Sequence, residues 1–361
     1  MLALTRDPYT GFAGLEKYCS IRPVAAHTGH SLAAGARSLL SPFPYSVSRY
    51  YHKAFVRALD EELEREKFDV VHVDHLAMAP YGVHASKTRG VPIVLRGHNL
   101  ETRFLRRYLD QETNPFVRMY GTLELPKLRR YEASVCGKYD MCAMITRDEA
   151  DELLRMAPAV RQTVIPAGVE LPAKPSTTGE EEKHILFLAL LDWKPNVRGF
   201  MWFYEKVFPL LLSQEPNVIL SIAGKGDSSE LKNLNHPNVR FEGFVESVAP
   251  ILARNQVCIV PLFAGSGMRV KVLEFLAHGK AIVSTSVGCE GIQVRPGRDI
   301  LVADRPDEFA RAILRLLKNP ALRVSLGKQG RNLVQKKYGW KSIAKQFEDV
   351  YREVNRSRAK T

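Results

Sequence analysis

Residues 257–285 constrain the fold of this chain more than any other segment, because a strand, a glycine-rich loop, a helix and a second strand follow one another directly. An apolar run over residues 257–262 ends at a loop that contains Gly265, Ser266 and Gly267. Glycine lets the backbone approach a ligand closely, and the first N–H groups of a helix have no partner within it. The segment therefore predicts a parallel α/β unit with an anion site at the start of the helix.

Charged side chains follow this loop at positions that suit a nucleotide. Arg269 and Lys271 place two positive charges within one turn, which favours a phosphate or diphosphate ligand. Glu274 follows further along the helix, where its carboxylate can accept hydrogen bonds from the ribose hydroxyls. Together these residues predict a nucleotide-sugar site. A tight turn uses the same glycines for purely conformational reasons, so that alternative stays open.

Apolar strands and helical segments alternate along most of the chain, which predicts parallel sheets covered by helices. The length of 361 residues fits two such units. We expect a first domain over residues 1–167, a linker over 168–184, a second domain over 185–337, and a C-terminal helix over 338–361 that packs back on the first domain. Strands are predicted at 69–74, 92–96, 141–145, 185–191, 218–223, 239–241, 257–261, 281–284 and 300–303.

Composition and cysteine spacing exclude several classes of protein. The chain has 45% hydrophobic residues and five cysteines, with no Cys-x-x-Cys pair and no zinc-ligand spacing. No apolar run approaches the ~18 residues of a membrane span, and no signal-peptide pattern opens the sequence. No nucleic-acid-binding motif is found, despite a net charge of +13. The sequence predicts a cytoplasmic protein with reduced cysteines and no nucleic-acid partner.

Basic residues interleaved with apolar ones point to a different anionic partner. The segment over residues 103–130 is helical in pattern and combines both types. Such a surface suits peripheral contact with an anionic membrane, and a solvated helix face explains it equally well. Its basic members are Arg103, Arg106, Arg107, Lys127, Arg129 and Arg130, and its apolar members are Phe104, Leu105, Leu109, Phe116 and Leu128.

The 257–285 segment as a whole resembles the donor-binding signature of the retaining glycosyltransferases of family four, which have the two-domain GT-B fold with Rossmann-like domains facing across a cleft. This resemblance implies that Glu274 holds the ribose and that the loop, including Met268, holds the diphosphate with Arg269 and Lys271. It also implies that Gly243 and Val245 pack against the base, although a glycine that simply ends a strand explains Gly243 equally well. Lys194 and Asn196 follow the first strand of the second domain and are expected to bind the donor, with Lys194 helping Arg269 and Lys271 at the diphosphate. Asp192 is expected to line the cleft.

Polar residues also gather after predicted strands in the first domain. Arg96, His98 and Asn99 follow one strand and resemble the family's active-site histidine loop. The resemblance implies that His98 reaches a hydroxyl of the donor sugar, and Asn99 is expected to cap the next helix. Asp74 and His75 end the preceding strand and are interpreted as acceptor contacts, with a structural role as the alternative. Their alternating faces argue against a metal site.

Three features depart from the family pattern. The position eight residues before Glu274 is Ser266, where many members have a second glutamate. Leu190 and Pro195 stand where many members have an arginine and a lysine. Residues 1–41 show no convincing apolar strand followed by a glycine-rich turn, so we expect a shortened N-terminus and an incomplete first sheet.

The resemblance implies hexosyl transfer from a nucleoside diphosphate sugar to a sugar or lipid-linked acceptor alcohol, with retention of configuration. The absence of an Asp-x-Asp motif predicts that neither a metal nor a further cofactor is required, because Arg269 and Lys271 neutralise the leaving diphosphate. Cell-surface polysaccharide or glycolipid synthesis is the expected setting. Two alternatives remain: a nucleotide-binding pseudoenzyme or scaffold, and a GT-B nucleotide-sugar epimerase.

Overall fold

The computed structural model describes residues 1–5, 14–29, 31, 35, 38, 41, 43–110, 112–176, 179–226, 229–232, 234–265 and 267–358. The chain divides into two compact units. The first consists of Met1–Ile165 and Gln346–Thr361, and the second of Pro166–Lys345. Each unit has its own parallel sheets and its own apolar core. The expected α/β class with two Rossmann-like domains is confirmed.

Six strands of the first unit form two parallel sheets. The four-stranded sheet has the order β3-β4-β5-β6, and β1 pairs with β2 separately. The strands are β1 (Leu2–Thr5), β2 (Arg22–Ala25), β3 (Val71–Asp74), β4 (Ile93–Gly97), β5 (Met141–Met144) and β6 (Gln162–Val164). The helices are α1 (Tyr45–Ser48), α2 (Lys53–Arg65), α3 (Ala79–Arg89), α4 (Glu101–Leu109), α5 (Pro115–Cys136) and α6 (Arg147–Met156), with 3-10 turns at Leu15–Lys17 and Leu76–Met78.

The expectation that no strand opens the chain is wrong. β1 runs parallel to β2, with Leu2 opposite Arg22 and Thr5 opposite Ala25. Leu2 and Leu4 pack against the cluster formed by Val24 and the buried faces of α2 and α3. All four residues of β1 are only half-buried, so no buried apolar run marks it as a strand in the sequence, which explains the error. The glycine-containing stretch that begins at Thr10 lies largely outside the described residues.

The second unit contains a six-stranded parallel sheet with the order β12-β11-β10-β7-β8-β9. Its strands are β7 (His184–Leu188), β8 (Ile219–Ala223), β9 (Val239–Gly243), β10 (Val257–Val260), β11 (Ala281–Ser284) and β12 (Leu301–Val302). The helices are α7 (Lys194–Trp202), α8 (Phe208–Gln214), α9 (Ser229–Lys232), α10 (Val248–Arg254), α11 (Val270–Ala277), α12 (Pro306–Lys318) and α13 (Pro320–Lys337), with a π-turn at Phe203–Val207 and a 3-10 turn at Val287–Cys289.

This strand order places a topological switch point between β7 and β10. The chain progresses outward from β7 through β8 to β9, then returns to β10 and progresses the other way. Loops that follow adjacent strands at such a point separate and leave a crevice at the carboxyl edge of the sheet. The glycine-rich loop follows β10 and leads into α11, so it lies at this crevice.

The last helix, α14 (Trp340–Arg358), begins in the second unit and continues into the first. Within the first unit, Arg358 Nε donates to Asp140 Oδ1 at 2.9 Å. Tyr351 Oη lies 2.9 Å from His72 Nδ1. These contacts join the end of the chain to the region of β3 and β5.

No helix in the described part of the chain has the length and apolar character needed to span a bilayer.

Candidate active site

The loop after β10 holds the guanidinium of Arg269 close to its own backbone. Gly265 has φ 129° and Gly267 has φ 71°, conformations that favour glycine. A Cβ atom on Gly265 would lie 2.7 Å from Nη2 of Arg269, so this glycine is required for the observed approach. Arg269 immediately precedes α11 and is only 7% exposed. The predicted loop residue Ser266 lies outside the described residues.

Local contacts fix the orientation of the Arg269 guanidinium. Its Nη1 donates to the carbonyl oxygen of Gly267 at 3.1 Å. Met268, between these two residues, is only 8% exposed. Its burial fits a side chain that packs within the loop, so any ligand contact from Met268 would come from its backbone. The result is a buried cation held against the turn that precedes α11.

Lys271 lies in the first turn of α11 and contacts the end of β7. Its Nζ donates to Asn196 Oδ1 at 3.1 Å and to the Leu188 carbonyl at 3.5 Å, and it lies 5.5 Å from the centre of the Phe187 ring. Burial, together with the neighbouring positive charge of Arg269, lowers the pKa of Lys271 to about 7. A bound anion would oppose both effects and restore the charge.

Asn196 links the two loops that flank the switch point. Its Nδ2 donates to the Leu190 carbonyl at 2.9 Å, while its Oδ1 accepts the hydrogen bond from Lys271. Close packing of α7 makes this link possible, because a Cβ atom on Gly199 would lie 1.9 Å from the carbonyl oxygen of Pro261. The sequence predicted Asn196 as a donor-binding residue without a specific contact. The structure adds a specific contact, in which Asn196 orients the ammonium group of Lys271.

Glu274 lies one turn beyond Lys271 on α11 and is half-buried. Burial raises the pKa of its carboxyl group. Among the described residues, none forms a hydrogen bond or ion pair with this carboxylate. A half-buried carboxylate without such partners gains from hydroxyl donors supplied by a ligand. The spacing of three residues places Glu274 and Lys271 on the same side of the helix.

The remaining predicted donor residues are more exposed. Asp192 and Lys194, in the loop after β7 and at the start of α7, both have exposed side chains. Gly243 ends β9 with φ 69°, and Val245 follows it in a half-buried position. β9 is the outer strand of this sheet, two positions from β7. The geometry of Gly243 fits a strand end as well as a base contact, so both interpretations stay open.

Thr285 supports the glycine-rich loop and was not singled out from the sequence. Its Oγ1 accepts hydrogen bonds from the backbone N–H groups of Leu262 and Gly288, each at 3.1 Å. These bonds connect the start of the loop after β10 to the turn after β11. A small polar residue directly after a buried strand was the only available signal, and such residues also end strands for conformational reasons.

The first unit has a histidine cluster at the carboxyl ends of β3 and β4. His98 Nε2 lies 2.7 Å from Asp74 Oδ1, and the His75 ring stacks at 6.1 Å from the His98 ring. His75 has φ 91°, which is unusual for a residue with a side chain. Its Nδ1 accepts the N–H of Ala77 at 3.1 Å. Parallel pairing of β3 with β4 brings together the predicted residues Asp74, His75 and His98.

The environment of this cluster shifts the pKa values of Asp74 and His75. Burial favours the protonated form of Asp74, yet the hydrogen bond from His98 and the positive charges around it lower the pKa of this carboxyl group. Burial lowers the pKa of His75, and His98 adds to that effect. The pair of Asp74 and His98 therefore favours an ionised carboxylate that orients one ring nitrogen of the histidine.

The expectation that Asn99 caps the following helix is wrong. α4 begins at Glu101, with Leu100 as the capping residue and no side-chain bond from it. Glu132 of α5 caps the helix instead, since its Oε1 accepts the N–H of Glu101 at 2.8 Å and its Oε2 accepts the N–H of Thr102 at 2.9 Å. Burial raises the pKa of Glu132 to about 7. Asn99 stays in the loop beside His98.

The sequence from 100 to 135 forms two helices, α4 and α5, rather than one. Asn114 Oδ1 accepts the N–H of Phe116 at 3.0 Å and Pro115 follows as the first helical residue, so a new helix begins there. The arginines of α4 face acidic residues of α6. Arg106 Nη1 lies 3.2 Å from Glu152 Oε1, and Arg103 lies 3.9 Å from Glu152 Oε2.

Two protein-family models match adjacent parts of the chain. "Glycosyltransferase Family 4" matches residues 18–172, and "Glycosyl transferases group 1" matches residues 182–319. The chain is a GT-B glycosyltransferase of the family 4 type. Both matches fall on the regions that contain the histidine cluster and the glycine-rich loop, so the expected family and the general activity of the protein are confirmed.

Curated relatives and solved structures agree with this family. The glycosyltransferase is 24% identical over 271 residues to an uncharacterized 44.6 kDa protein in the cps region of Klebsiella pneumoniae, covering 72% of this chain and 68% of that one. It is 25% identical over 344 residues to phosphatidyl-myo-inositol mannosyltransferase of Mycobacterium tuberculosis, covering 91% and 85%.

Its fold is similar to sucrose-phosphate synthase from Thermosynechococcus elongatus, with a TM-score of 0.67, 18% identity, and coverage of 93% of this chain and 84% of that one. It is also similar to Anabaena HepE in complex with UDP and glucose, with a TM-score of 0.66, 12% identity, and coverage of 97% and 90%.

Proposed function

We propose that this glycosyltransferase moves a hexosyl group from a nucleoside diphosphate sugar to an acceptor alcohol, with retention of anomeric configuration. The observation that carries the proposal is the pair of cations at the switch point of the second unit. Arg269 is buried against the glycine-rich loop, and Lys271 is held by Asn196 at 3.1 Å. Buried positive groups beside free helix N–H groups suit a diphosphate.

In the proposed reaction, the bond between the sugar and the diphosphate breaks, the acceptor oxygen forms the new bond on the same face of the sugar, and the proton of the acceptor hydroxyl passes to the departing diphosphate. Negative charge then builds on the departing diphosphate. Arg269 and Lys271 are proposed to offset this charge from fixed positions, which lowers the barrier without reorganisation of the site. In this proposal they provide the neutralisation that a divalent cation would otherwise supply, so no metal is required.

Other residues are proposed to orient the donor. Glu274 accepts hydrogen bonds from the ribose hydroxyls, and the backbone around Gly243 and Val245 packs against the base. Lys194 assists at the diphosphate. The UDP complex of the similar Anabaena HepE structure supports a nucleotide ligand for this fold. In the first unit, His98 is proposed to contact a hydroxyl of the transferred sugar, with its ring oriented by Asp74.

The acceptor is proposed to be a sugar or lipid-linked alcohol used in cell-surface polysaccharide or glycolipid synthesis. Two relatives support this choice through their names: one lies in a cps region, and another is a phosphatidyl-myo-inositol mannosyltransferase. Asn99, Asp74 and His75 are proposed to contribute to the acceptor side. Such an acceptor places the enzyme in the cytoplasm, at the inner face of the membrane.

The test measures donor binding and turnover separately. The purified protein is incubated with UDP-, GDP- and ADP-sugars, while thermal shift reports binding and a coupled assay reports release of the nucleoside diphosphate. We expect Lys271→Ala and Glu274→Ala to reduce both signals at least tenfold, because each removes a direct donor contact. The exposed residues Lys328 and Glu205 provide matched controls, and Lys328→Ala and Glu205→Ala should behave as wild type.

Each outcome separates the alternatives. Release that depends on an added acceptor, disappears in the two site variants and persists in the controls supports the transferase rather than the epimerase. Stabilisation by a nucleotide without release, in the presence of a broad acceptor mixture, would identify a nucleotide-binding pseudoenzyme. No stabilisation by any donor would contradict the proposed donor site.

A further inference from the structure

An exposed stripe on α5 combines apolar and basic side chains on one face. Phe116, Met119 and Leu123 are 76%, 61% and 59% exposed. Successive spacings of three, four and seven residues place these three and Arg130 on the same side of the helix. Large apolar side chains that are this exposed and this close together mark an interaction surface rather than a core.

The basic end of the stripe borders a hollow of about 520 Å³. Lys127, Arg130 and Lys138 contribute positive charge to its wall, whereas Phe43, Tyr131 and Val135 contribute apolar surface. An anionic group attached to an apolar chain fits such a lining in chemical terms. The hollow continues the face on which the exposed apolar residues lie, because Arg130 belongs to both.

Of the basic side chains on α5, Lys127 is paired with an acidic residue of the same helix. α5 has two acidic side chains, Glu124 and Glu132, and both are buried. Glu124 accepts the N–H of Tyr45 at 2.8 Å and forms an ion pair with Lys127, so the charge of Lys127 is offset. Glu132 caps α4 and is directed into the unit. The other basic side chains of this helix are Arg118, Arg129 and Arg130, and all three are exposed.

We infer that this stripe and hollow, which we call the α5 surface, form the site at which the protein docks on an anionic lipid bilayer. Apolar side chains enter the boundary between head groups and acyl chains, and basic side chains meet the lipid phosphates. Arg130 lies about 16 Å along the helix from Met119. A single tilted helix can therefore place its apolar end at the boundary of the acyl chains and its basic end at the lipid phosphates. The inference deepens the membrane association proposed above and names its surface.

Charge distinguishes this occupant from a second copy of the chain. The protein carries a net charge of +13, and a symmetric contact through the α5 surface would bring two sets of basic residues together. The α4 arginines, by contrast, face Glu152 and other acidic residues around a separate hollow. They are therefore less available to lipid than the basic residues of α5.

The experiment is co-sedimentation of the full chain with vesicles of equal parts phosphatidylglycerol and phosphatidylcholine, compared with pure phosphatidylcholine. Wild-type protein should bind the anionic vesicles, and less tightly as salt increases. We expect Met119→Gln with Leu123→Gln, and separately Arg130→Gln with Lys138→Gln, to weaken binding at least tenfold. Variants of α13 serve as controls and should bind like wild type. Val324→Gln changes an apolar residue that is 63% exposed, and Lys328→Gln with Lys336→Gln removes two exposed charges.

Circular dichroism and the donor-induced thermal shift are measured on every variant, so loss of folding or of the donor site is recognised independently. Equal binding by the α5 variants and wild type would overturn this surface while leaving membrane association intact. Equal loss in the α13 controls would show general electrostatic attraction and would also overturn it. A dimer in sedimentation velocity that the α5 substitutions dissociate, without vesicle binding, would assign the surface to a second copy.

Discussion

At the scale of single residues, the proposed donor site depends on cations held where water does not fully solvate them. Arg269 and Lys271 are recognisable in the sequence because they follow two glycines at the start of a helix. The hydrogen bond between Lys271 and Asn196 could not be predicted from the sequence. Asn196 lies 75 residues earlier, and the two residues meet because β7 pairs with β10. The pair of Asp74 and His98 likewise depends on the alignment of two strands.

Lys271 leads to a prediction about pH. Its pKa of about 7 in the free protein should rise when an anionic diphosphate binds, because opposite charge favours the protonated form. Above pH 7 the complex then holds more protons than the free protein, so donor affinity should fall as pH rises, by up to about tenfold per pH unit. The range from pH 7.5 to 9 avoids titration of the diphosphate itself.

Titration calorimetry in buffers of different ionisation enthalpy measures this proton uptake directly. At pH 8 we expect uptake of up to one proton per nucleoside diphosphate bound by wild type. Lys271→Met should bind more weakly and take up less, whereas Lys328→Met, at an exposed site, should match wild type. Affinity that stays constant across this range, with no proton uptake, would show that Lys271 is already charged in the free protein.

At the scale of elements, apolar runs identified the central strands correctly. The predicted strands at 69–74, 185–191 and 257–261 correspond to β3, β7 and β10. β1, β2 and β6 were missed because their residues are mostly half-buried or exposed, so they lack the continuous buried apolar run that marks β5 and β10. Contacts with neighbouring strands and helices, rather than the apolar pattern of their own residues, determine that these segments pair as strands. The cap of α4 was also missed, because Glu132 comes from a different helix.

Substitution of Glu132 tests whether this residue anchors the start of α4, and with it the loop that contains His98. Glu132→Ala would leave the N–H groups of Glu101 and Thr102 without their acceptor in a buried site, which should cost about 2–4 kcal/mol of unfolding free energy. Glu132→Gln keeps one acceptor oxygen and should cost roughly half as much. Urea unfolding of both variants measures the difference.

Glu205→Ala, at an exposed position in the second unit, controls for loss of a carboxylate and should change stability by less than about 0.5 kcal/mol. If Glu132→Ala were as stable as wild type, water or another group would have to satisfy the start of α4, and Glu132 would not be the anchor.

At the scale of the whole molecule, two separate cores imply that ligand binding stabilises the units unequally. The clusters around Phe187 and around Ile93 belong to different units, and each is complete within its own sheet and helices. A nucleotide that binds only the second unit should stabilise that unit by mass action. Sequence alone indicated two domains, but not the distribution of reporter side chains between them.

All three tryptophans of the chain, Trp193, Trp202 and Trp340, lie in the second unit. Tryptophan fluorescence therefore reports unfolding of that unit, while far-ultraviolet circular dichroism reports both. With a saturating nucleoside diphosphate we expect the fluorescence midpoint in urea to rise, and the circular dichroism curve to separate into a shifted and an unshifted part. Lys271→Ala should abolish the separation, because the ligand would no longer favour the folded second unit. Coincident curves that move together would instead show that the two units unfold as one cooperative structure.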